Sequence, residues 1–207
     1  MNWNRIIRIL IISLFIVVNT STVSSQSKLN IIDKTVSFGM RAAQLREINT
    51  IIVHSVFNAS GGDIYDIDLV IAQFSLYHVS SHYVIGREGK IYQLVKEKNI
   101  SFHAGISSLP DGRSGVNLCS IGIELIDSTG TSPTEQQIQS LTLLVKDIEK
   151  RYHIKYVLRH SDIAPGRKTD PWNMDWEDFL IRIGREDPFI RIRMDSLIKL
   201  KMDSLFK

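Results

Sequence analysis

Three short apolar stretches decide how this chain folds: Thr50-Ile-Ile-Val-His54, Cys119-Ser-Ile-Gly-Ile-Glu-Leu125 and Lys155-Tyr-Val-Leu-Arg159, the last running into His160. Thr50–His54 is a β-branched run ending at a histidine, Ser120–Leu125 is a second apolar segment, and Lys155–Arg159 a third; each reads as a strand. Working outward, His82–Ile85 and Lys90–Val95 form two further strands, joined by Gly86-Arg-Glu-Gly89 as a tight hairpin turn. Ile64, Ile67, Leu69, Val70, Phe74 and Tyr77 recur at helical spacing and predict a helix over about Tyr65–His78. Ser132-Pro-Thr-Glu135 opens another, with Ser132 or Thr134 as cap and Pro133 where a missing N–H is harmless. Ile138, Leu141, Leu144, Val145 and Ile148 continue that helix on one face, and a last core helix covers Trp176–Ile183. Strands alternating with helices predict an α/β fold, a central mixed β-sheet flanked by helices on both faces. Residues 26–49 carry no firm pattern, while Ser101–Gly115 and Ser161–Met174 read as loops.

The chain has 207 residues, 43% of them hydrophobic and 23% charged, which suits one domain with a full core and excludes disorder. A lone cysteine, Cys119, rules out a disulfide framework and any multi-cysteine zinc site; its apolar setting predicts a packed core thiol. At the N-terminus Arg5 and Arg8 precede the apolar run Ile9–Val18 and the small polar stretch Asn19–Gln26, the three parts of a secretory signal. The apolar run falls short of the roughly 20 residues a membrane span needs. The expected division is a signal peptide over 1–25, cleaved after Ser25, one folded domain over 26–184, and a basic amphipathic tail over 185–207. That places the mature protein in the periplasm or outside the cell, with no stable membrane span; a retained anchor is the alternative. Losing residues 1–25 takes the formal charge from +3 to +1, leaving no electrostatic footprint for nucleic acid. The tail nearly repeats itself, in Arg193-Met-Asp-Ser-Leu-Ile-Lys199 and Lys201-Met-Asp-Ser-Leu-Phe-Lys207. It is expected to lie on the domain or fray, with contact to a membrane surface or a partner as the alternative.

Six histidines are available for chemistry, and two of them, His54 and His160, end predicted strands where a crevice forms at a sheet edge. His160-Ser-Asp-Ile-Ala-Pro-Gly-Arg-Lys-Thr-Asp170 gathers an imidazole, a guanidinium, an ammonium and a carboxylate in one loop. Two imidazoles and a carboxylate suit a catalytic zinc with one position left for water. On spacing alone, strand-end histidines satisfied by backbone carbonyls account for the pattern better.

The wider pattern shifts that balance. Ile51-Ile-Val-His54, Ser81-His-Tyr-Val-Ile85 with Gly89-Lys-Ile-Tyr-Gln-Leu94, Phe102-His-Ala-Gly105, Asn117-Leu-Cys-Ser-Ile-Gly-Ile-Glu124 and His160–Pro171 follow one another in order. Together, from about Thr50 to Ile183, they resemble the zinc-dependent N-acetylmuramoyl-L-alanine amidases, whose fold is shared with phage lysozyme-type amidases and peptidoglycan recognition proteins. The resemblance implies His54, His160 and Asp170 as ligands of one zinc ion. It implies Glu124 as the group that orients and deprotonates water, and Lys168 as the cation facing the carbonyl oxygen. It further implies Arg167, His103 and Asn117 at the substrate, though His103 serves equally well as a brace for its loop. The expected substrate is peptidoglycan or a muropeptide, cut between N-acetylmuramic acid and L-alanine; a non-catalytic peptidoglycan-binding module on the same fold is the alternative. A glutamate in an apolar strand also needs a partner or a function to be tolerated. Trp172 stands where the family usually has glycine, which bears on the shape of the cleft. His82 is expected to bond or pack within its strand, His78 and His153 to lie at the surface, and Trp172 and Trp176 to stack on sugar or fill the core.

Overall fold

The structure is a computed structural model and describes residues 29–189. The expected signal peptide and residues 190–207 of the expected tail lie outside the described residues. The sheet runs in the order β1 (Ile31–Asp33), β5 (Ile91–Gln93), β4 (Tyr83–Ile85), β7 (Ser120–Ile126), β3 (Thr50–Val56) and β8 (Tyr156–Arg159). Only the β4–β5 hairpin is antiparallel; the other four pairings are parallel, so the sheet is mixed as expected. A two-stranded antiparallel ribbon, β2 (Met40–Arg41) with β6 (Ile100–Ser101), stands apart. The strands at 31–33 and 40–41 fall where the sequence has no pattern, because two or three residues are too few to show a period.

Alternation along the central strands sorts their side chains between two faces. Ile51, Val53, Ile121, Ile123, Leu125 and Val157 pack on one face against helices α2 (Glu135–Arg151) and α4 (Trp176–Ile183). Helix α1 (Ile67–Leu76) covers part of the other face, setting Val70 and Phe74 on Val84, Leu94 and Ile126. Next to it the loop carrying Ala104, Leu109 and Val116 closes over Ile52 and Leu158. Trp176 fills the core, one of the two readings its sequence allows.

Caps sharpen the predicted boundaries. Asp66 accepts from the amides of Asp68 and Leu69, so α1 starts two residues later than its apolar pattern suggests. Thr134 caps α2 in a reciprocal box with Gln137, which puts Pro133 just outside the helix rather than in its first turn. The expected loop after β8 begins instead with a single helical turn, α3 (His160–Ile163), held by the Asp162 carboxylate accepting from the Arg159 amide at 2.9 Å. Cys119 is half-buried beside the third apolar cluster, less enclosed than expected.

Gln137 ties α2 to the sheet. Fully buried, it donates through Nε2 to the Ile85 and Ile126 carbonyls at 3.1 and 3.0 Å, the last residues of β4 and β7. Gln137→Leu keeps the volume but leaves two buried carbonyls unpaired, each worth about 1–3 kcal/mol. Urea unfolding is expected to show a loss of at least about 2 kcal/mol with an unchanged m-value; full stability would show that these carbonyls find other partners.

Candidate metal centre and active site

Parallel register builds the site. His54 of β3 lies directly beside Glu124 of β7, and Val53 beside Arg159 of β8, so His160 follows on the same row. His54 and Glu124 share the face opposite the α2–α4 core, and the turn of α3 delivers the His160 ring to that face. The backbone amide of Ser161 donates to the Asp170 carbonyl at 3.0 Å, folding the loop back so that Asp170 joins the row.

The three side chains meet closely. His54 Nδ1 is 2.9 Å from His160 Nδ1, His160 Nδ1 is 3.0 Å from Asp170 Oδ2, and His54 Nδ1 is 3.5 Å from Asp170 Oδ2. All three residues are buried. Ligand atoms about 2.0–2.1 Å from a tetrahedral zinc lie about 3.3–3.4 Å apart, so this nitrogen, nitrogen and oxygen set fits one ion. His160 Nε2 reaches the Ala104 carbonyl at 3.3 Å, an acceptor for a ring proton on Nε2, so that Nδ1 can turn its lone pair to a metal ion held by the triad. The Ser55 amide approaches Asp170 Oδ2 at 3.4 Å, and Ser55 Oγ accepts from the Trp172 amide at 3.2 Å, bracing the Asp170 loop against β3.

The triad opens into a cleft of about 350 Å³ whose walls include Glu124, Lys168, Arg167, His103, Asn117, Phe102 and Trp172. Thus His54, Glu124, His160, Arg167, Lys168, Asp170, His103 and Asn117 all border this one cleft. Glu124 is buried, and burial pushes its carboxyl well above the ordinary range; the Asp170 charge adds to this and Lys168 opposes it. Lys168 itself is exposed to the cleft. Trp172 packs on Phe57 with ring centres 5.8 Å apart and donates through Nε1 to Thr169 Oγ1.

The three residues expected at the substrate also make hydrogen bonds inside the protein. Both His103 ring nitrogens are engaged inside the protein, with His54 Nε2 at 2.9 Å and Ser120 Oγ at 3.1 Å, so of its two readings the brace prevails. Asn117 Oδ1 accepts from the amides of His103 and Ala104 at 3.2 and 2.9 Å, pinning the same loop. Arg167 Nη2 donates to the Ala104 and Ile106 carbonyls, so one arm of the guanidinium is a loop clasp while the side chain still borders the cleft. His82 bonds across strands, its Nδ1 accepting from the Gly122 amide at 3.0 Å and its Nε2 donating to the Asn99 carbonyl at 3.1 Å. His78 and His153 are at the surface. Ser120 and Gly122 are the residues that sequence reasoning passes over; they lie four and two positions before Glu124, on its face of β7.

The triad could hold one metal ion at the floor of the cleft, and comparison with known proteins gives the family. The profile of the N-acetylmuramoyl-L-alanine amidase family matches residues 44–173. The chain belongs to that family. It is 43% identical over 124 residues to the N-acetylmuramoyl-L-alanine amidase AmiD of Escherichia coli, covering 51% of this chain and 45% of AmiD. It is 36% identical over 118 residues to the 1,6-anhydro-N-acetylmuramyl-L-alanine amidase AmpD of Escherichia coli, covering 56% of this chain and 64% of AmpD. The matches thus span about half to two thirds of these relatives. The solved complex of AmiD with anhydro-N-acetylmuramic acid-L-Ala-D-gamma-Glu-L-Lys superposes with a TM-score of 0.57 and 35% identity, over 71% of this chain and 62% of that one.

Burial makes the metal-free site acid-sensitive. Desolvation lowers His54 to about 4 and His82 to about 3, and holds His103 well below the ordinary 6.5. The unfolded chain therefore takes up protons near pH 6.5 that the folded chain refuses, so the stability these rings contribute is present above that pH and is lost on acidification. Glu124, raised in the fold, acts in the opposite sense but is one group against three. Urea unfolding of metal-stripped protein is expected to show stability falling by about 1–2 kcal/mol per unit between pH 6.5 and 5. A rise over that interval would contradict the buried, neutral imidazoles.

Proposed function

We propose that this protein is an exported, zinc-dependent hydrolase that cleaves the amide between N-acetylmuramic acid and L-alanine in peptidoglycan or its soluble muropeptides. The observation that carries the reading is the convergence of His54 Nδ1, His160 Nδ1 and Asp170 Oδ2 within 3.5 Å in the cleft that also holds Glu124 and Lys168. The named activity of AmiD and AmpD, and the anhydromuropeptide bound to AmiD, support the choice of bond and substrate. Export rests on the N-terminal pattern of Arg5, Arg8 and Ile9–Val18. No helix among the described residues is long and apolar enough to cross a membrane.

An unactivated amide needs a strong nucleophile, a charge-stabilised carbonyl oxygen and a protonated leaving amine. His54, His160 and Asp170 would hold the zinc ion, which would supply the Lewis acidity to acidify water and polarise the carbonyl. Glu124 takes the proton from the attacking water and passes it to the departing nitrogen of L-alanine. Its burial makes it more basic than an ordinary carboxylate, which suits a proton acceptor working near neutral pH. Strand β7 holds it rigidly beside His54, so the proton acceptor keeps its place relative to the ligands. The Lys168 ammonium, two residues before Asp170, faces the developing oxyanion, where a fixed donor is worth on the order of 3–4 kcal/mol. Arg167, Asn117 and the loop they hold shape the wall against which the sugar–peptide junction lies.

Purified protein is expected to carry about one zinc per chain and to release stem peptide from anhydromuropeptides, read by mass analysis of products. Glu124→Gln is expected to keep the metal and lose about 10²–10⁴-fold in turnover. Metal-loaded wild-type protein that leaves both muropeptides and sacculi intact would favour a binding module instead.

A further inference from the structure

His54 has two ways to place its ring proton, and only one frees Nδ1 for a metal ion. Behind the ring, away from the triad, runs a buried chain of contacts: His54 Nε2 to His103 Nδ1 at 2.9 Å, His103 Nε2 to Ser120 Oγ at 3.1 Å, and Ser120 Oγ to the Val116 carbonyl at 2.6 Å. The far end decides the direction. A carbonyl oxygen only accepts, so two oxygens 2.6 Å apart in a buried site need the Ser120 hydroxyl proton between them. With its proton committed to Val116, Ser120 Oγ accepts from His103 Nε2–H. His103 Nδ1 is then bare and accepts Nε2–H from His54, which leaves the His54 Nδ1 lone pair pointing at His160 Nδ1 and Asp170 Oδ2. The reverse order turns the Ser120 hydroxyl toward His103 and leaves the short oxygen–oxygen contact with no proton, an unfavourable arrangement for a fully buried hydroxyl.

From this chain we infer that His103 is a positioning residue: anchored by Ser120 and the Val116 carbonyl, it holds His54 as the Nε2–H tautomer and so presents Nδ1 to the metal. The consequence for metal binding rests on the zinc reading above; the order of protons does not. The surroundings are built to keep His103 in place. A side chain on Gly122 would put its Cβ 2.5 Å from His103 Cγ and 2.7 Å from Nδ1 and Cδ2, so the imidazole lies flat in space that only glycine leaves open. Asn117 fixes the His103 backbone from the other side. His82 closes the rear at 5.8 Å between ring centres, and its own nitrogens are spent on Gly122 and Asn99, so it does not compete for the His103 protons.

Two measurements on the full chain test this. Long-range proton–nitrogen correlation spectra of the metal-stripped wild type are expected to show His54 protonated at Nε2 and bare at Nδ1. Zinc affinity, measured by chelator competition, is expected to fall 10–100-fold in His103→Leu, the range for losing the partner of a ligating histidine. In His103→Asn the amide oxygen replaces Nδ1 as acceptor, and most of the affinity and the tautomer are expected to return. A His54 proton on Nδ1 in the wild type, or wild-type zinc affinity in His103→Leu, would overturn the proposal. If His103→Leu does not fold, the wild-type spectrum and the His103→Asn affinity decide. A wild type that binds no zinc refutes the metal reading instead, while its spectrum still decides the proton order.

Discussion

The registered, parallel pairing of β7, β3 and β8 is the constraint from which the rest of the site follows. Side chains on a strand alternate between faces, so the residues that bury Ile51, Val53, Ile121, Ile123 and Leu125 under α2 and α4 necessarily turn His54 and Glu124 to the other side. A slip of one residue between strands would exchange the faces, driving a carboxylate and an imidazole into the core. Apolar packing on one face therefore enforces the register of the chemical groups on the other. Stability and the site are set by the same pairing.

Loops complete what the sheet begins. The segment around His103 and Ala104 is pinned by Asn117 and clasped by Arg167, and it supplies a hydrogen-bond acceptor or partner behind each imidazole: the Ala104 carbonyl behind His160, and the His103 ring behind His54. The loop from α3 to α4 supplies Asp170 and brings Lys168 to the mouth of the same cleft. The imidazoles are thus oriented from behind by groups of a loop that also borders the cleft. Burial keeps His54 neutral in the metal-free protein, the state in which it can serve as a ligand.

Much of this is legible in the sequence because the central strands are long, apolar and marked by polar residues at fixed places. His54, Glu124 and His160 stand out since each interrupts or ends an apolar run, and Asp170 and Lys168 because one loop gathers them. The short strands at 31–33 and 40–41 are illegible for want of length, and the α3 turn because its four residues, His160–Ile163, are held by Asp162 rather than by an apolar stripe. His103 keeps two readings in the sequence, since a histidine on a loop gives no sign of which way its ring turns. Ser120 and Gly122 are small and silent alone; only their even spacing from Glu124, on a strand of known register, marks them as part of the site's foundation.

Anomalous diffraction from crystals of the full chain grown with zinc, recorded on both sides of the zinc absorption edge, tests the shared ligand set most directly. One strong peak is expected, bounded by His54 Nδ1, His160 Nδ1 and Asp170 Oδ2, with its remaining side open toward Glu124. No peak there at full zinc loading, or an ion bound through the Nε2 atoms of these histidines, would contradict it.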